Sequence, residues 1–148
     1  MPGASEFLLH SSSSVGSDVT LGHGAVIEAE AVIGDRSVIG HGAIVGAGAV
    51  VGAGCTLGAH VVLHAGTVLG DGCLVQDGAV LGKQPALART SSLRSAEPLA
   101  PLTLGRQVTV GAGAVLFAGA TIADEVIVGD QAYIRERATI GESSVVGR

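Results

Sequence analysis

The chain has 148 residues, enough for a single domain, and carries eight Lys and Arg against thirteen Asp and Glu, a formal net charge of −5. That acidic balance, with two Phe, one Tyr and no Trp to stack on bases, argues against a nucleic-acid binder. No stretch is apolar for long enough, free of turn-forming glycines, to cross a membrane as a helix.

Residues 1–14 read as a loose leader. They hold no basic region and only a short apolar run, Phe7-Leu8-Leu9, so they are not a secretory signal, and a cytoplasmic location is expected. The apolar triplet is expected to lie over the open first turn of the repeat that begins at Val15.

From Val15 an aliphatic residue recurs every six positions: Val15, Leu21, Ile27, Ile33, Ile39, Val45, Val51, Leu57, Leu63, Leu69, Val75 and Leu81. After a break the series resumes at Leu104, Val110, Leu116, Ile122, Val128, Ile134, Ile140 and Val146. This period is neither the helical repeat nor simple strand alternation, and it predicts a parallel β-helix built from hexapeptides. In a unit such as Ile39-Gly40-His41-Gly42-Ala43-Ile44, the first and fifth positions point inward and the third and fourth make a corner. Glycine is expected at the second and fourth positions because the chain turns sharply there, often with positive φ.

Three units close a triangular coil. Val19, Ser37, Cys55 and Cys73 then stack in one inward column, at roughly the 4.8 Å strand spacing. The narrow bore accommodates aliphatic side chains but not rings, in keeping with the 24 glycines and three aromatic residues. Cys55 and Cys73 are expected to be small buried thiols rather than a disulfide.

Residues 83–103 interrupt the repeat with Pro85, Pro98 and Pro101 in a Ser- and Ala-rich setting, and read as an external loop within a β-helix domain spanning 15–148. The basic residues are uneven: residues 1–82 hold one Lys or Arg against seven acids, residues 83–148 seven against six. The repeat runs to Arg148 without a capping helix or polar cover, so the C-terminal end reads as uncapped or truncated. A thin prism buries few layers, and association is the expected route to stability.

Histidine supplies the candidate bases. His23 and His41 occupy the same corner one coil apart, His60 lies at a corner, and His10 lies in the leader. His64 replaces the usual second-position glycine in Leu63-His64-Ala65-Gly66, and the coil count puts Glu28, His64, Phe117 and Arg135 on one face of the prism. His64 is therefore the candidate general base. The loop's Lys83, Arg89 and Arg94, against one acid, Glu97, suit phosphate groups of a substrate or of coenzyme A. Asp77, in the unit below the loop, is a candidate to orient an acceptor group. Glycine spacings here are by-products of the repeat and carry no nucleotide-binding weight.

The repeat resembles that of the hexapeptide-repeat superfamily, whose members are mostly acyltransferases and mostly trimers. That resemblance implies an all-β, single-stranded left-handed parallel β-helix. Handedness rests on it alone, since the general crossover preference is right-handed. Residues 60–141 resemble the UDP-N-acetylglucosamine O-acyltransferases and related sugar-nucleotide acyltransferases. The resemblance is carried by His60-Val61-Val62, Gly66-Thr67-Val68-Leu69-Gly70, Gly82, Pro85, Glu97-Pro98, Leu104-Gly105 and Ile134-Arg135-Glu136. It implies an acyl-CoA or acyl carrier protein thioester as co-substrate, a sugar or sugar-nucleotide amine or hydroxyl as acceptor, a homotrimer, and no resident cofactor. That family's general-base histidine lies beyond the matched stretch, and no histidine follows His64 in this chain.

The stretches Gln76–Gly82 and Val108–Gly119 are also similar to the γ-class carbonic anhydrases around their three zinc-binding histidines. The matching positions here are Gly82, Ala112 and Phe117, none of which can ligate zinc, so no metal is expected. Two readings stand beside acyl transfer: a non-catalytic trimeric assembly or binding module, and a carbonic-anhydrase-like protein that has lost its metal site.

Overall fold

The computed structural model describes residues 6–86 and 98–147. Each hexapeptide makes a strand of two residues, the sixth position of one unit and the first of the next, followed by a four-residue corner. Among the described residues twenty-one short strands, Leu8–Leu9 to Val145–Val146, nearly all of two residues, wind into three parallel seven-stranded sheets. One strand in three belongs to each sheet, so the chain is a three-faced, left-handed β-helix.

The first face stacks Leu8–Leu9, Val26–Ile27, Ile44–Val45, Val62–Leu63, Val80–Lys83, Val115–Phe117 and Tyr133–Ile134. The second face runs from Ser14–Val15 to Thr139–Ile140, and the third from Thr20–Leu21 to Val145–Val146. Outside one shift at Leu81–Lys83, paired residues lie over their counterparts in the next coil, as Val26 over Ile44 and Ile27 over Val45. The loop leaves the edge between the first and second faces, here the loop edge. The edge between the second and third faces is the acidic edge, and that between the third and first is the histidine edge.

The aliphatic first positions fill the bore: Ile27, Ile33, Ile39, Val45, Leu57, Leu63, Leu81 and Leu116 are buried, with the small fifth positions Ala25, Ala31, Ala43 and Cys55 between them. Because both kinds of inward position are apolar, each coil is stabilised only by its neighbours. One inward column is polar at its base. The Ser37 hydroxyl donates to the Gly52 carbonyl at 2.8 Å, and the Cys55 and Cys73 thiols donate to the carbonyls of Gly70 and Gly105 at 3.2 Å each. Both cysteines are free and buried, and a hydrogen bond with Cys55, then burial, push the Cys73 thiol up.

Two expectations are corrected. The described part of the leader is not loose: Leu8–Leu9 pairs in register with Val26–Ile27 and forms the first rung, with Phe7 packed partly against the core. Leu8 and Leu9 do not cover the open coil but are 62% and 46% exposed. The second-position glycines, Gly82 apart, are moreover not there for positive φ. Fourth-position Gly42 has φ +68, but at Gly40 the constraint is space, since a Cβ would lie 2.6 Å from the Gly58 carbonyl carbon of the next coil. Elsewhere the fourth position is held in the left-handed region by non-glycine residues, including Arg36, His60 and Gln107.

Candidate functional site

The site is built where the loop departs. Strand Val80–Lys83 is longer than its neighbours, and its register with Val115–Phe117 shifts: Leu81 pairs with Leu116, but Lys83 pairs with Phe117. Gly82 is therefore an extra residue, a bulge of the kind that re-aims side chains. It has φ +87, and a Cβ there would collide with the Thr67 hydroxyl and lie 3.4 Å from His64 Cβ. Thr67 is fully buried and its hydroxyl donates to the Leu81 carbonyl at 3.4 Å. Glycine alone meets both demands, and the bulge brings Lys83 beside Phe117.

The coil register aligns Glu28, Gly46 and His64 with Gly82 and, past the bulge, Lys83 with Phe117 and Arg135, so that Glu28, His64, Phe117 and Arg135 share one column along the first face, as the repeat predicts. His64 is exposed; its backbone is fixed by its N–H donating to the Leu81 carbonyl at 2.8 Å and its carbonyl accepting the Thr67 N–H at 3.2 Å. Above it, the Phe117 ring is nearly buried, at 7% exposure, between two cations. Lys83 Nζ lies 5.6 Å and the Arg135 guanidinium 4.2 Å from the ring centroid. Both are within reach of the ring's negative face. Arg135 Nε and Nη2 also donate to the two Glu136 carboxylate oxygens, at 2.9 and 3.5 Å. That bond holds the Glu136 carboxyl below its ordinary value.

The stems of the loop are anchored to the same place. The Lys83 carbonyl accepts the Ala118 N–H at 2.9 Å, Pro101 packs over Gly66, and Leu99 packs over Gly119. Of the expected loop cations, Lys83 is thus placed beside His64's column; Arg89 and Arg94, with Glu97, lie outside the described residues. Residue order alone could not have found Thr67 or the Gly82 bulge. The signals were a polar residue at an inward fifth position and a repeat that lapses one residue after Leu81.

The remaining candidates sit on the other edges. Asp77 Oδ1 accepts the Ala59 N–H of the coil below at 2.9 Å, so the carboxylate is partly engaged by the fold, and the residue lies across the first face from the loop. It is one of a set: Asp35, Asp71, Asp124 and Asp130 accept the N–H groups of Ser17, Ala53, Arg106 and Ala112 in the same way. His41 replaces the carboxylate in this role, its Nδ1 accepting the His23 N–H at 2.8 Å. His60 N–H donates to the His41 carbonyl. His10 Nδ1 accepts the Ser12 N–H.

A cleft of about 400 Å³ opens on the acidic edge between Arg36 and Arg106; its Asp71 and Asp124 already serve the backbone, its Glu125 accepts from the Ser143 hydroxyl, and no histidine or cysteine lines it. Gly82, Ala112 and Phe117 offer no donor to zinc, and among the described residues no three His, Cys, Asp or Glu side chains gather as a metal site.

An all-β prism of six-residue units, with a cationic and imidazole-bearing column at one interrupted edge, defines a hexapeptide-repeat β-helix protein. The family model described as bacterial transferase hexapeptide (six repeats) matches residues 12–47 and 48–83, and over that stretch the chain is similar to proteins of this family. A comparison with curated proteins finds no match.

Among solved structures, the chain is similar to a mutant of perosamine N-acetyltransferase from Caulobacter crescentus in complex with CoA and GDP-perosamine. The two are 29% identical over 83% of this chain and 52% of that one, with a TM-score of 0.65. A mutant of AntD, an N-acyltransferase from Bacillus cereus in complex with dTDP and coenzyme A, aligns at 18% identity over 91% of this chain and 79% of that one, with a TM-score of 0.79. This second likeness shows the fold alone. The chain spans about half the length of the perosamine enzyme.

Proposed function

We propose that the chain is an acyltransferase, or the N-terminal portion of one, that moves an acyl group from acyl-CoA or another acyl thioester to an amine or hydroxyl of a sugar or sugar nucleotide. The observation that carries this reading is the column of His64, Phe117 and Arg135 with Lys83 at the loop's exit, on a scaffold similar to that of a sugar N-acetyltransferase. In the reaction, His64 removes a proton from the acceptor nitrogen or oxygen as it attacks the thioester carbonyl. The C–S bond breaks, and the departing thiolate takes the proton from the imidazolium. Lys83, with Arg89 and Arg94 from the loop, holds substrate phosphates; Asp77 orients the acceptor group. No zinc chemistry enters, because the matching positions lack donors. The protein acts in the cytoplasm as a homotrimer.

The test is acyl transfer by the full chain from acetyl-CoA and longer thioesters to sugar nucleotides, read by release of free thiol. Thiol release that requires an acceptor supports the proposal; no release with any donor and acceptor overturns it.

A second reading is favoured by one feature. The outward sixth positions of the first face are apolar in every coil, Leu8, Val26, Ile44, Val62, Val80, Val115 and Tyr133, with Leu8 at 62% and Tyr133 at 71% exposure. A non-catalytic module that assembles through this face would be trimeric yet bind no CoA. Sedimentation and CoA titration on the same sample separate the two.

A further inference from the structure

The column above His64 contains more than proton transfer requires. We propose that Lys83, Phe117 and Arg135 form a platform for a diphosphate, with Arg135 as its orienting cation and Phe117 as the support that aims it.

Arg135 is held before any ligand arrives. Its face lies on the Phe117 ring at 4.2 Å, and its Nε and one Nη2 proton are taken by Glu136. A guanidinium has five N–H donors, so three remain, on a side chain that is 56% exposed. Their plane is set by the ring and the carboxylate together, as bidentate phosphate recognition requires. Lys83 supplies a compact second charge at 5.6 Å from the same ring, from the coil below.

Register puts Lys83 in the coil below Phe117 and Arg135 in the coil above it, so the ring stands between two cations that are no further apart than the sum of those distances. A diphosphate offers an anionic group to each, with a charge-assisted hydrogen bond of about 2.8 Å at either end, whereas a single phosphate offers one.

Charge points the same way. A surface staple needs one cation on the ring; a second repels the first, and Glu136 answers only Arg135. An anion that bridges them past the rim of the ring relieves what remains, and the nearly buried ring shields that side from water. This basic group stands in the half of the chain that holds seven of its eight Lys and Arg.

The inference rests on the acyl-transfer reading only for the source of the diphosphate, a nucleotide acceptor or coenzyme A. The experiment is calorimetric titration of the full chain with inorganic pyrophosphate, inorganic phosphate, UDP and CoA, with acyl transfer assayed in parallel. The proteins compared are wild type, Arg135→Gln, Lys83→Gln, Phe117→Leu and the Phe117→Leu/Arg135→Gln double variant.

Wild type is expected to bind pyrophosphate well above phosphate, and Arg135→Gln to weaken pyrophosphate about tenfold or more. Phe117→Leu weakens it less, and the double variant no further than Arg135→Gln, because Phe117 acts through Arg135. Loss of UDP binding with CoA unchanged places the acceptor's diphosphate there; the converse places that of CoA. Pyrophosphate binding that is absent in wild type, unaltered in Arg135→Gln, or additive in the double variant overturns the platform. Should Arg135→Gln fail to fold, unchanged pyrophosphate affinity in Lys83→Gln overturns it as well. Transfer that proceeds while pyrophosphate ignores Arg135 removes the platform and leaves the enzyme; Arg135-dependent binding without transfer does the reverse.

Discussion

The three edges of the prism are made from similar residues but employ their polar side chains differently. On the acidic and histidine edges a carboxylate or imidazole accepts a backbone N–H from the coil below: Asp35, Asp71 and Asp124 on one, His41, Asp77 and Asp130 on the other. On the loop edge the same corner position is alanine in four coils, Ala29, Ala47, Ala65 and Ala118, and in a later one Glu136, whose carboxylate binds Arg135 rather than the coil below; the charges gather beside the corner, on Lys83 and Arg135. A charge engaged by the backbone is spent on the fold. On the loop edge only the Ser12 hydroxyl, among the described residues, accepts such a bond, from the Glu30 N–H, and no charged side chain does; its charges are left to meet a ligand.

That contrast is sharpened most by removing His64. His64→Ala should lower the rate of acyl transfer by about 100-fold, the scale of general-base catalysis, while the melting temperature stays put because the side chain is exposed. Equal rates would take His64 out of the mechanism. Next comes Gly82→Ala, which forces a Cβ against Thr67 at φ +87 and should cost about 2 kcal/mol in urea unfolding. No loss would mean that the bulge is not fixed.

Asp71→Ala, on an edge assigned to folding, should cost about 1 kcal/mol and leave transfer unchanged, since water can partly replace the lost acceptor at that exposed corner. A fall in activity would erase the distinction between the edges. The smallest effect concerns Glu136, whose carboxyl is held low chiefly by its hydrogen bond with Arg135. A group whose pKa is lowered by folding stabilises fully above its unfolded value, here near 4.5, and loses that contribution as pH falls through the folded value. Wild type and Glu136→Gln should therefore differ in melting temperature near neutrality and converge in acid.

The period of the aliphatic residues is enough to read the faces, the inward columns and the shared column of Glu28, His64, Phe117 and Arg135, because a six-residue phase maps each side chain to one of three sheets. The first rung escapes that reading. Leu9 is in phase, but the serines at 11–14 look like a linker, and only pairing with Val26–Ile27 shows that they turn a corner. The site is legible as a face but not as a geometry. Lys83 can be read as a loop cation; its contact with Phe117 depends on a bulge that a regular repeat cannot announce. Asp77 looks like an acceptor-orienting acid because sequence does not reveal which carboxylate oxygens a neighbouring coil has already claimed.

The corner acceptors recur on alternate coils, and on both edges they come from the same coils: Asp35 with His41, Asp71 with Asp77, Asp124 with Asp130. The modular unit is thus a pair of coils, one giving N–H groups and one receiving them. Anyone lengthening or shortening this solenoid should splice whole pairs. A single-coil graft would set receiver against receiver and leave two corners without their tie.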